Sequence, residues 1–376
     1  MNGLFISLYD ITADHVKGIR KKVQGQVKYF RKNCKNIDWI YRIADGSIMC
    51  NEEKIYNGSN HSKELIYNTL DYMKLKNNIS IKKYDFIYIR YLIGNVGLLN
   101  FVKYAHKNNV KVLVEIPTYP YLDEIQNNIQ GKIKVTLDNY VTKRLKNYIS
   151  RIVCTNNDDE IFGIKTIKID NGVDLEETKC ISNNKVRDDK FINVIAVASI
   201  CRWHGYDRFI NSMKQYIKDN NENTVRFYLV GGGQNEDINY LKNIVVENRL
   251  QDFVYFTGPK DGKELDDLYE KMDFAVSSLA LFRAGGGHNP IKTKEYIAKG
   301  LPVVTGYEDK IVPSTLEFIY RVSNDESIFK LDKIIEWYKK GKFNVGKIRR
   351  YAEKKVSWDS QIKIIINEIN NDLIYK

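Results

Sequence analysis

The chain has 376 residues, 43% of them hydrophobic, and a formal net charge of +12 at pH 7. This length favours two domains over one core, and no apolar run reaches the roughly 18 residues that a membrane-spanning helix needs. The N-terminal MNGLFISLYD lacks the features of a signal peptide and predicts a first strand. The five cysteines are scattered without a C-x-x-C pair, which favours free thiols in a reducing cytoplasm over disulfides or zinc ligands.

The positive charge has two interpretations. It could attract an anionic surface, either phosphate or membrane lipid. It could equally consist of solvated lysines from a compositional bias, because Lys, Asn, Ile and Tyr are all abundant. A nucleic-acid partner is not expected, since the basic residues are spread along the chain and no zinc-finger or RNP-type motif is present.

Short apolar runs alternate with amphipathic stretches along the whole chain. The first set of predicted strands comprises residues 4–8, 86–91, 110–116, 152–154 and 167–169. The second set comprises residues 192–200, 225–230, 254–256, 274–276 and 301–304. Continuous apolar strands separated by helices are typical of parallel sheets covered on both faces. The sequence therefore predicts an α/β fold with two doubly wound, Rossmann-like domains facing a cleft.

A polar stretch, residues 177–190, separates the two sets and is predicted to be the linker. The N-terminal domain is predicted to span residues 1–182 and the C-terminal domain residues 188–356. The amphipathic C-terminal segment, residues 357–376, is predicted to pack back on the first domain. Ligands are expected where the carboxyl ends of the strands face the cleft.

The segment FRAGGGHNPIKTKEYIAKGLPVV, residues 282–304, has the signals of a loop, a helix and a strand. Asn289 can cap a helix and Pro290 suits its first turn. Gly300 is a typical C-terminal stop. Three glycines before an open helix N-terminus provide free N–H groups and the positive end of a helix dipole, which together bind an anion.

Further polar and glycine-rich segments follow the predicted strands of the second half. Arg202 and His204 follow the first strand in CRWHGYDRF, Gly231 and Gly232 follow the second, and Gly258 follows the third. Ligands of doubly wound domains bind on this side of the sheet. No D-x-D pair occurs, which disfavours transferases that hold a metal through such a pair.

These segments together resemble the donor-binding half of GT-B glycosyltransferases, especially the glycosyltransferase family 4 type of capsule and exopolysaccharide synthesis. The resemblance covers roughly residues 150–305 and rests on the order of KIDNGVD, RWHGYDRF, FYLVGGGQNE, KELDDLYEKMDFAVSS and NPIKTKEYIAKGLPVV. It implies a retaining, metal-independent hexosyltransferase without a bound cofactor. Its donor would be a UDP- or GDP-linked sugar.

The resemblance also implies roles for individual residues. Glu295 would accept hydrogen bonds from the ribose diol; the alternative is a surface ion pair with Lys299. Arg202 and His204 would neutralise the diphosphate leaving group; the alternative is ordinary loop polarity. The remaining donor contacts are expected from Gly231, Gly232, Gly258, Gly286, Gly287, His288, Asn289, Ile291 and Lys292. The family often has an E-x7-E pair, but Gly287 stands at its first position, so the backbone at 286–289 or His288 would have to substitute.

The first half is expected to bind the acceptor, a glycan or a lipid-linked sugar. Glu115, at a strand exit, is the candidate to hold or polarise the acceptor hydroxyl; the alternative is a carboxylate paired with a nearby lysine. His15, Lys17 and Gly18 lie in the first strand–helix loop, a usual acceptor edge. The basic residues at 11–32 could contact anionic lipid at the inner face of the membrane, although a solvated helix face explains most of them.

The sequence therefore predicts a cytoplasmic glycosyltransferase with peripheral membrane contact. Three alternatives stay open. A nucleotide-sugar 2-epimerase of the same fold would need acid and base groups but no acceptor. A non-catalytic sugar- or nucleotide-binding protein would bind without transfer. A nucleic-acid binder would show a salt-dependent affinity for oligonucleotides.

Overall fold

A computed structural model describes residues 1–13, 16–58, 64–122, 128–183, 190–219, 224–285 and 290–374. The chain forms two compact units, Met1–Asn171 with Trp358–Lys376 (unit 1) and Gly172–Ser357 (unit 2). The boundary between the two units lies between Asn171 and Gly172, before the predicted linker at residues 177–190. The described part of this segment before residue 184 packs on unit 2, where Ile181 N donates to the Lys299 carbonyl at 2.9 Å.

Unit 1 contains a nine-stranded sheet within the described residues, in the order β4-β3-β2-β1-β5-β6-β7-β9-β8. Pairs from β2 through β1, β5, β6 and β7 to β9 are parallel, and the outer strands pair antiparallel. Its strands are β1 (Asn2–Asp10), β2 (Asn36–Arg42), β3 (Ile48–Cys50), β4 (Glu53–Tyr56), β5 (Phe86–Arg90), β6 (Lys111–Ile116), β7 (Arg151–Cys154), β8 (Glu160–Ile161) and β9 (Ile164–Lys168). The strand order reverses between β1 and β5, which makes this edge the switch point of the unit.

The helices of unit 1 before the change of unit are α1 (Lys17–Asn33), α2 (Glu64–Asn78), α3 (Val96–Lys107) and α4 (Ile129–Leu145). Helix α1 buries one apolar stripe, which includes Val23, Val27 and Phe30. Asn95 caps α3 and Asn128 caps α4 through their side chains, which satisfies N–H groups at each helix start.

Unit 2 contains a six-stranded sheet within the described residues, and its strand pairs are all parallel. Its strands are β10 (Phe191–Val197), β11 (Thr224–Val230), β12 (Val254–Gly258), β13 (Phe274–Val276), β14 (Val303–Thr305) and β15 (Ile319–Arg321). Their order is β12-β11-β10-β13-β14-β15, the Rossmann order, with its switch point between β10 and β13. The predicted α/β class with two parallel, Rossmann-like sheets is confirmed.

The helices of unit 2 are α5 (Tyr206–Lys218), α6 (Asn235–Glu247), α7 (Gly262–Tyr269), α8 (Lys292–Lys299), α9 (Leu331–Lys340) and α10 (Val345–Lys355). Helix α8 ends at Gly300, whose φ of 87° is a left-handed stop. Helix α11 (Trp358–Ile374) returns to unit 1, where Trp358 lies so close to Gly25 of α1 that a Cβ there would be 2.7 Å from its ring. In the part of the chain that the structure describes, the helices are too short or too polar to cross a bilayer.

Candidate active site

Glycine turns bring the exits of β10, β11 and β12 into contact. Gly231 has φ of 132°, and a Cβ on it would lie 1.8 Å from the carbonyl oxygen of Ala198. Its N–H donates to the Gly258 carbonyl at 2.9 Å, and the N–H of Ile200 donates to the Gly232 carbonyl at 2.6 Å. Glycine at 231 is therefore required by close packing as well as by its positive φ.

The loop after β10 forms a short 3₁₀ turn, Arg202–His204, that buries the imidazole of His204. The ring stacks on Trp203 at 3.8 Å and on Tyr206 at 5.2 Å between centroids. Nδ1 of His204 lies 3.1 Å from the Cys201 N–H and 3.3 Å from the Cys201 carbonyl oxygen, so it can accept from the first or donate to the second, depending on the tautomer of the ring.

Burial, helped by the positive charge of Lys292, lowers the pKa of His204 to about 4. The ring is therefore uncharged at neutral pH, because desolvation disfavours its protonated form. Without ligand, His204 is therefore not the cation that the sequence analysis expects, and its contact with a diphosphate stays a prediction. What the structure allows is a neutral imidazole with one hydrogen-bond donor.

Arg202 keeps an exposed side chain and lies against helix α6. Its guanidinium carbon is 3.5 Å from the centroid of the Tyr240 ring, a cation–π contact that holds the charge beside the strand exits. Its carbonyl oxygen accepts a hydrogen bond from Arg283 Nη1 at 3.0 Å. Arg202 therefore lies close to the loop that leads to the glycine-rich segment, as a shared anion site requires.

Arg283 joins the loop after β10 to the segment before the three glycines, and the sequence analysis does not single it out. It forms two hydrogen bonds with the Asp207 carboxylate, at 2.9 and 3.0 Å, and a third from Nε to Glu326 at 2.7 Å. These hydrogen bonds, the one to Glu326 first, raise the pKa of Arg283 above its ordinary value. The sequence contains both partners, an arginine shortly before the three glycines and an aspartate in the RWHGYDRF motif. Their pairing depends on the tertiary structure, so the sequence pattern does not predict it.

Helix α8 presents Lys292 and Glu295 in its first two turns. Lys292 Nζ lies 2.6 Å from Glu295 Oε2, and both side chains are partly exposed. The alternative ion pair between Glu295 and Lys299 is not formed, because Lys299 pairs with Asp266 on α7. Ile291 precedes the helix, and its carbonyl accepts the first hydrogen bond, from Glu295 N at 3.0 Å.

The buried side of α8 fixes this helix against the switch point. Tyr296 accepts a hydrogen bond on its hydroxyl from Val197 N at 2.7 Å, and Thr293 Oγ1 donates to Ser277 Oγ at 2.8 Å. Lys294 is fully buried with its Nζ 3.1 Å from Asp309 Oδ2. Polar contacts to the exits of β10 and β13 therefore position the N-terminal turn of α8.

Some predicted site residues lie outside the described residues. They are His15, Gly286, Gly287, His288 and Asn289. The predicted cap at Asn289 and the replacement for the missing glutamate at 287 therefore stay predictions.

In unit 1, Glu115 is buried in a polar cluster at the end of β6. It accepts hydrogen bonds from Gln26 and Tyr88, both at 3.1 Å, and pairs with Arg90, while Lys22 Nζ lies 3.7 Å away. Burial opposes ionisation, but Arg90 and Lys22 outweigh it and hold the pKa of Glu115 below its ordinary value. These contacts agree with the paired-carboxylate alternative, and nothing in them supports the catalytic role.

Comparisons with known proteins indicate the class of protein that this chain resembles. Residues 192–316 match the family model described as Glycosyl transferases group 1. An uncharacterized glycosyltransferase of Methanocaldococcus jannaschii is 24% identical over 230 residues, which are 59% of this chain and 55% of the relative. The match thus spans about half the length of that curated relative.

Solved structures of similar fold cover nearly the whole chain. A glycosyltransferase of Rickettsia africae has a TM-score of 0.67 at 12% identity, over 99% of this chain and 98% of its own. Sucrose-phosphate synthase of Thermosynechococcus elongatus has a TM-score of 0.60 at 14% identity, over 100% and 99%. HepE of Anabaena, solved in complex with UDP and glucose, has a TM-score of 0.55 at 14% identity, over 98% and 100%.

The fold is therefore that of the GT-B glycosyltransferases. Within it, residues 192–316, which run from β10 past β14, match the group 1 glycosyltransferase model, and this confirms the resemblance of the second half to a glycosyltransferase donor-binding domain.

Proposed function

We propose that the protein transfers a sugar from a nucleotide-sugar donor, UDP- or GDP-linked, to a glycan or lipid-linked acceptor. The observation that carries the proposal is the convergence at the switch point of unit 2. Arg202, the glycine turn at Gly231 and the Lys292–Glu295 pair surround one edge of the sheet. That combination of cations, exposed backbone and a helix start suits a nucleoside diphosphate.

Each group has a chemical role in this proposal. The positive charges of Arg202 and Lys292 and the N-terminal dipole of α8 stabilise the charge that develops on the leaving diphosphate. Glu295 exchanges its partner Lys292 for the two hydroxyls of the ribose. His204 contributes the one N–H donor of a neutral imidazole and no positive charge.

The finer features of the reaction are also proposals. Transfer proceeds with retention and without a metal, and the acceptor hydroxyl loses its proton to the departing phosphate. Unit 1 binds the acceptor. The excess of positive charge supports peripheral contact with an anionic membrane on its cytoplasmic side.

A thermal-shift series with UDP, GDP and ADP tests the donor site. A ligand at 100 times its Kd stabilises the protein by about 2.7 kcal/mol, which corresponds to a Tm increase of roughly 5–10 °C for a domain of this size. UDP or GDP is expected to raise Tm, and the rise should shrink in Glu295→Ala. If none of the three nucleotides changes Tm, the proposal is wrong.

Incubation with a UDP-sugar then identifies the reaction. Release of UDP together with transfer of the sugar to an acceptor, or slow hydrolysis of the UDP-sugar, supports glycosyltransferase activity. Formation of the 2-epimer of UDP-GlcNAc without release of UDP supports an epimerase. Binding without either change supports a non-catalytic binding protein.

A further inference from the structure

Helix α4 of unit 1 exposes large apolar side chains along one side. Ile129, Ile133 and Tyr140 have 79%, 57% and 49% of their surface exposed, and their spacing of i, i+4 and i+11 places them on one face. On the opposite side, Val141 and Leu145 are buried in the core of the unit. Helix α4 therefore has two apolar faces: one packs in the core of unit 1, and the other is exposed.

Cations border this apolar face on both sides. Lys132 and Lys143 lie along one border. Arg144 lies along the other, with its guanidinium 3.6 Å from the centroid of the Tyr140 ring and donating to the Tyr140 carbonyl at 2.9 Å, and all three cations are exposed. Residues 129–145, which the structure describes throughout, contain a single acidic residue, Asp138. Asp138 is buried and accepts hydrogen bonds from Gly94 N at 2.6 Å and the Tyr121 hydroxyl at 2.5 Å. The solvent side of α4 is therefore apolar in its centre and positive at its rim.

We infer that this face of α4 docks onto an anionic lipid surface. A helix of this kind lies in the plane of the interface, with its apolar side chains below the headgroups and its cations among them. Each cation near an anionic leaflet adds attraction, and each buried apolar side chain adds hydrophobic stabilisation. A neutral surface would satisfy the apolar side chains and leave the bordering cations without a complement.

Helix α1, the sequence-based expectation for lipid contact, exposes cations but no comparable apolar face. Arg20 donates to the Ile11 carbonyl at 2.9 Å and Arg31 to Asn51 Oδ1 at 2.6 Å, so both cations serve the fold of unit 1. The large apolar side chains that the described residues expose include none on α1. The inference therefore moves the membrane contact from α1 to α4.

The position of α4 gives this contact a use. The helix follows β6, so its N-terminal end, with Ile129 and Ile133, lies at the carboxyl edge of the unit 1 sheet. Ligands of doubly wound domains bind at that edge. For its purpose the inference rests on the proposed function, since docking here would bring a lipid-linked acceptor to unit 1, but its test requires no nucleotide sugar.

The test is flotation of the full chain with vesicles of phosphatidylcholine containing 30% phosphatidylglycerol, compared with vesicles of phosphatidylcholine alone. Binding is expected to the anionic vesicles and to weaken in high salt. The double variant Ile129→Ser/Ile133→Ser should bind at least ten-fold more weakly. Each of Lys132→Gln, Lys143→Gln and Arg144→Gln should weaken binding about five-fold.

Matched controls come from unit 2. Val246→Ser/Ile328→Ser removes two apolar side chains of similar exposure, 58% and 78%. Lys214→Gln/Lys218→Gln removes two exposed cations from α5. Both control variants should bind as the unaltered protein does, and the UDP-induced Tm shift should stay the same in every variant, so that failure of docking and failure of the donor site are distinguished.

Three results would overturn the inference. The first is no binding to anionic vesicles. The second is a loss of vesicle binding that is equal in the α4 cation variants and in the α5 control, while Ile129→Ser/Ile133→Ser has no effect. That result would indicate general electrostatic attraction. The third is a dimer in light scattering that Ile129→Ser/Ile133→Ser converts to a monomer, which would make this face a contact between copies of the chain.

Discussion

Substitution Glu295→Ala separates a ligand-binding carboxylate from a surface ion pair. Without ligand, Glu295 has one close cation, Lys292 at 2.6 Å, and the pair is partly exposed. A pair of this kind on a helix surface contributes about 0.3–0.5 kcal/mol. The substitution should therefore change the free energy of unfolding by no more than about 0.5 kcal/mol.

The expected effect on nucleotide binding is much larger. Two ribose hydroxyls donating to a carboxylate contribute about 1.5 kcal/mol each, or about 3 kcal/mol together, at the low end for charged acceptors. Giving up the Lys292 contact offsets about 0.5 kcal/mol. The net loss of about 2.5 kcal/mol corresponds to a Kd raised roughly 70-fold.

Isothermal titration with the preferred nucleoside diphosphate measures this Kd, and urea unfolding measures stability. Glu336→Ala is the matched control, because Glu336 also pairs with neighbouring lysines, on the exposed side of α9. The control should leave Kd unchanged. A Kd in Glu295→Ala within two-fold of the unaltered protein would refute the proposed contact with the ribose.

Three further predictions concern the elements that support the site. With a folded-state pKa of about 4 against an ordinary 6.5, His204 stays neutral in the folded protein while the unfolded chain takes up a proton. The free energy of unfolding should therefore fall by roughly 3 kcal/mol as pH drops from 6.5 to 4. Urea unfolding at several pH values should show a smaller fall in His204→Gln. A pH profile that is the same in His204→Gln and in the unaltered protein would contradict the burial argument. Gly231→Ala should lower Tm and abolish the nucleotide-induced rise in Tm, because the added Cβ has no room. Gly18→Ala is the control: a Cβ there has nothing within 4 Å, so Tm and its nucleotide-induced rise should stay at or above their original values. Equal effects of the two substitutions would contradict the packing argument for Gly231. Lys294→Met should destabilise the protein by about 3–5 kcal/mol because it leaves a buried carboxylate without its cation, and a urea-unfolding change below about 1 kcal/mol would contradict the importance of that pair.

The fold class was predictable because it depends on local and periodic signals. Parallel strands buried on both faces appear as continuous apolar runs, and β10, β11, β13 and β14 each coincide with one. The outer strands β3, β4 and β8, of which β4 and β8 form the sheet edges, are short and only partly buried, so they carry no such signal. The domain boundary was misplaced because a polar composition does not distinguish a free linker from a segment that packs on a domain through its backbone.

The site was predictable as a set of positions, and less so as a set of charges and partners. Arg202 and the strand-exit glycines lie together because the carboxyl ends of parallel strands share one edge. The charge of His204 depends on burial between aromatic rings, which no local pattern reveals. Lys299 pairs with Asp266 of α7, since a tertiary neighbour outcompetes the helical i+4 partner.

The most direct test of the account is a crystal structure of the protein with bound UDP or GDP, whichever raises Tm. The account predicts the diphosphate at the switch point of unit 2, within hydrogen-bonding distance of Arg202 or Lys292, and the ribose hydroxyls on Glu295. A nucleotide bound at any other edge of either sheet, with Glu295 still paired to Lys292, would contradict it.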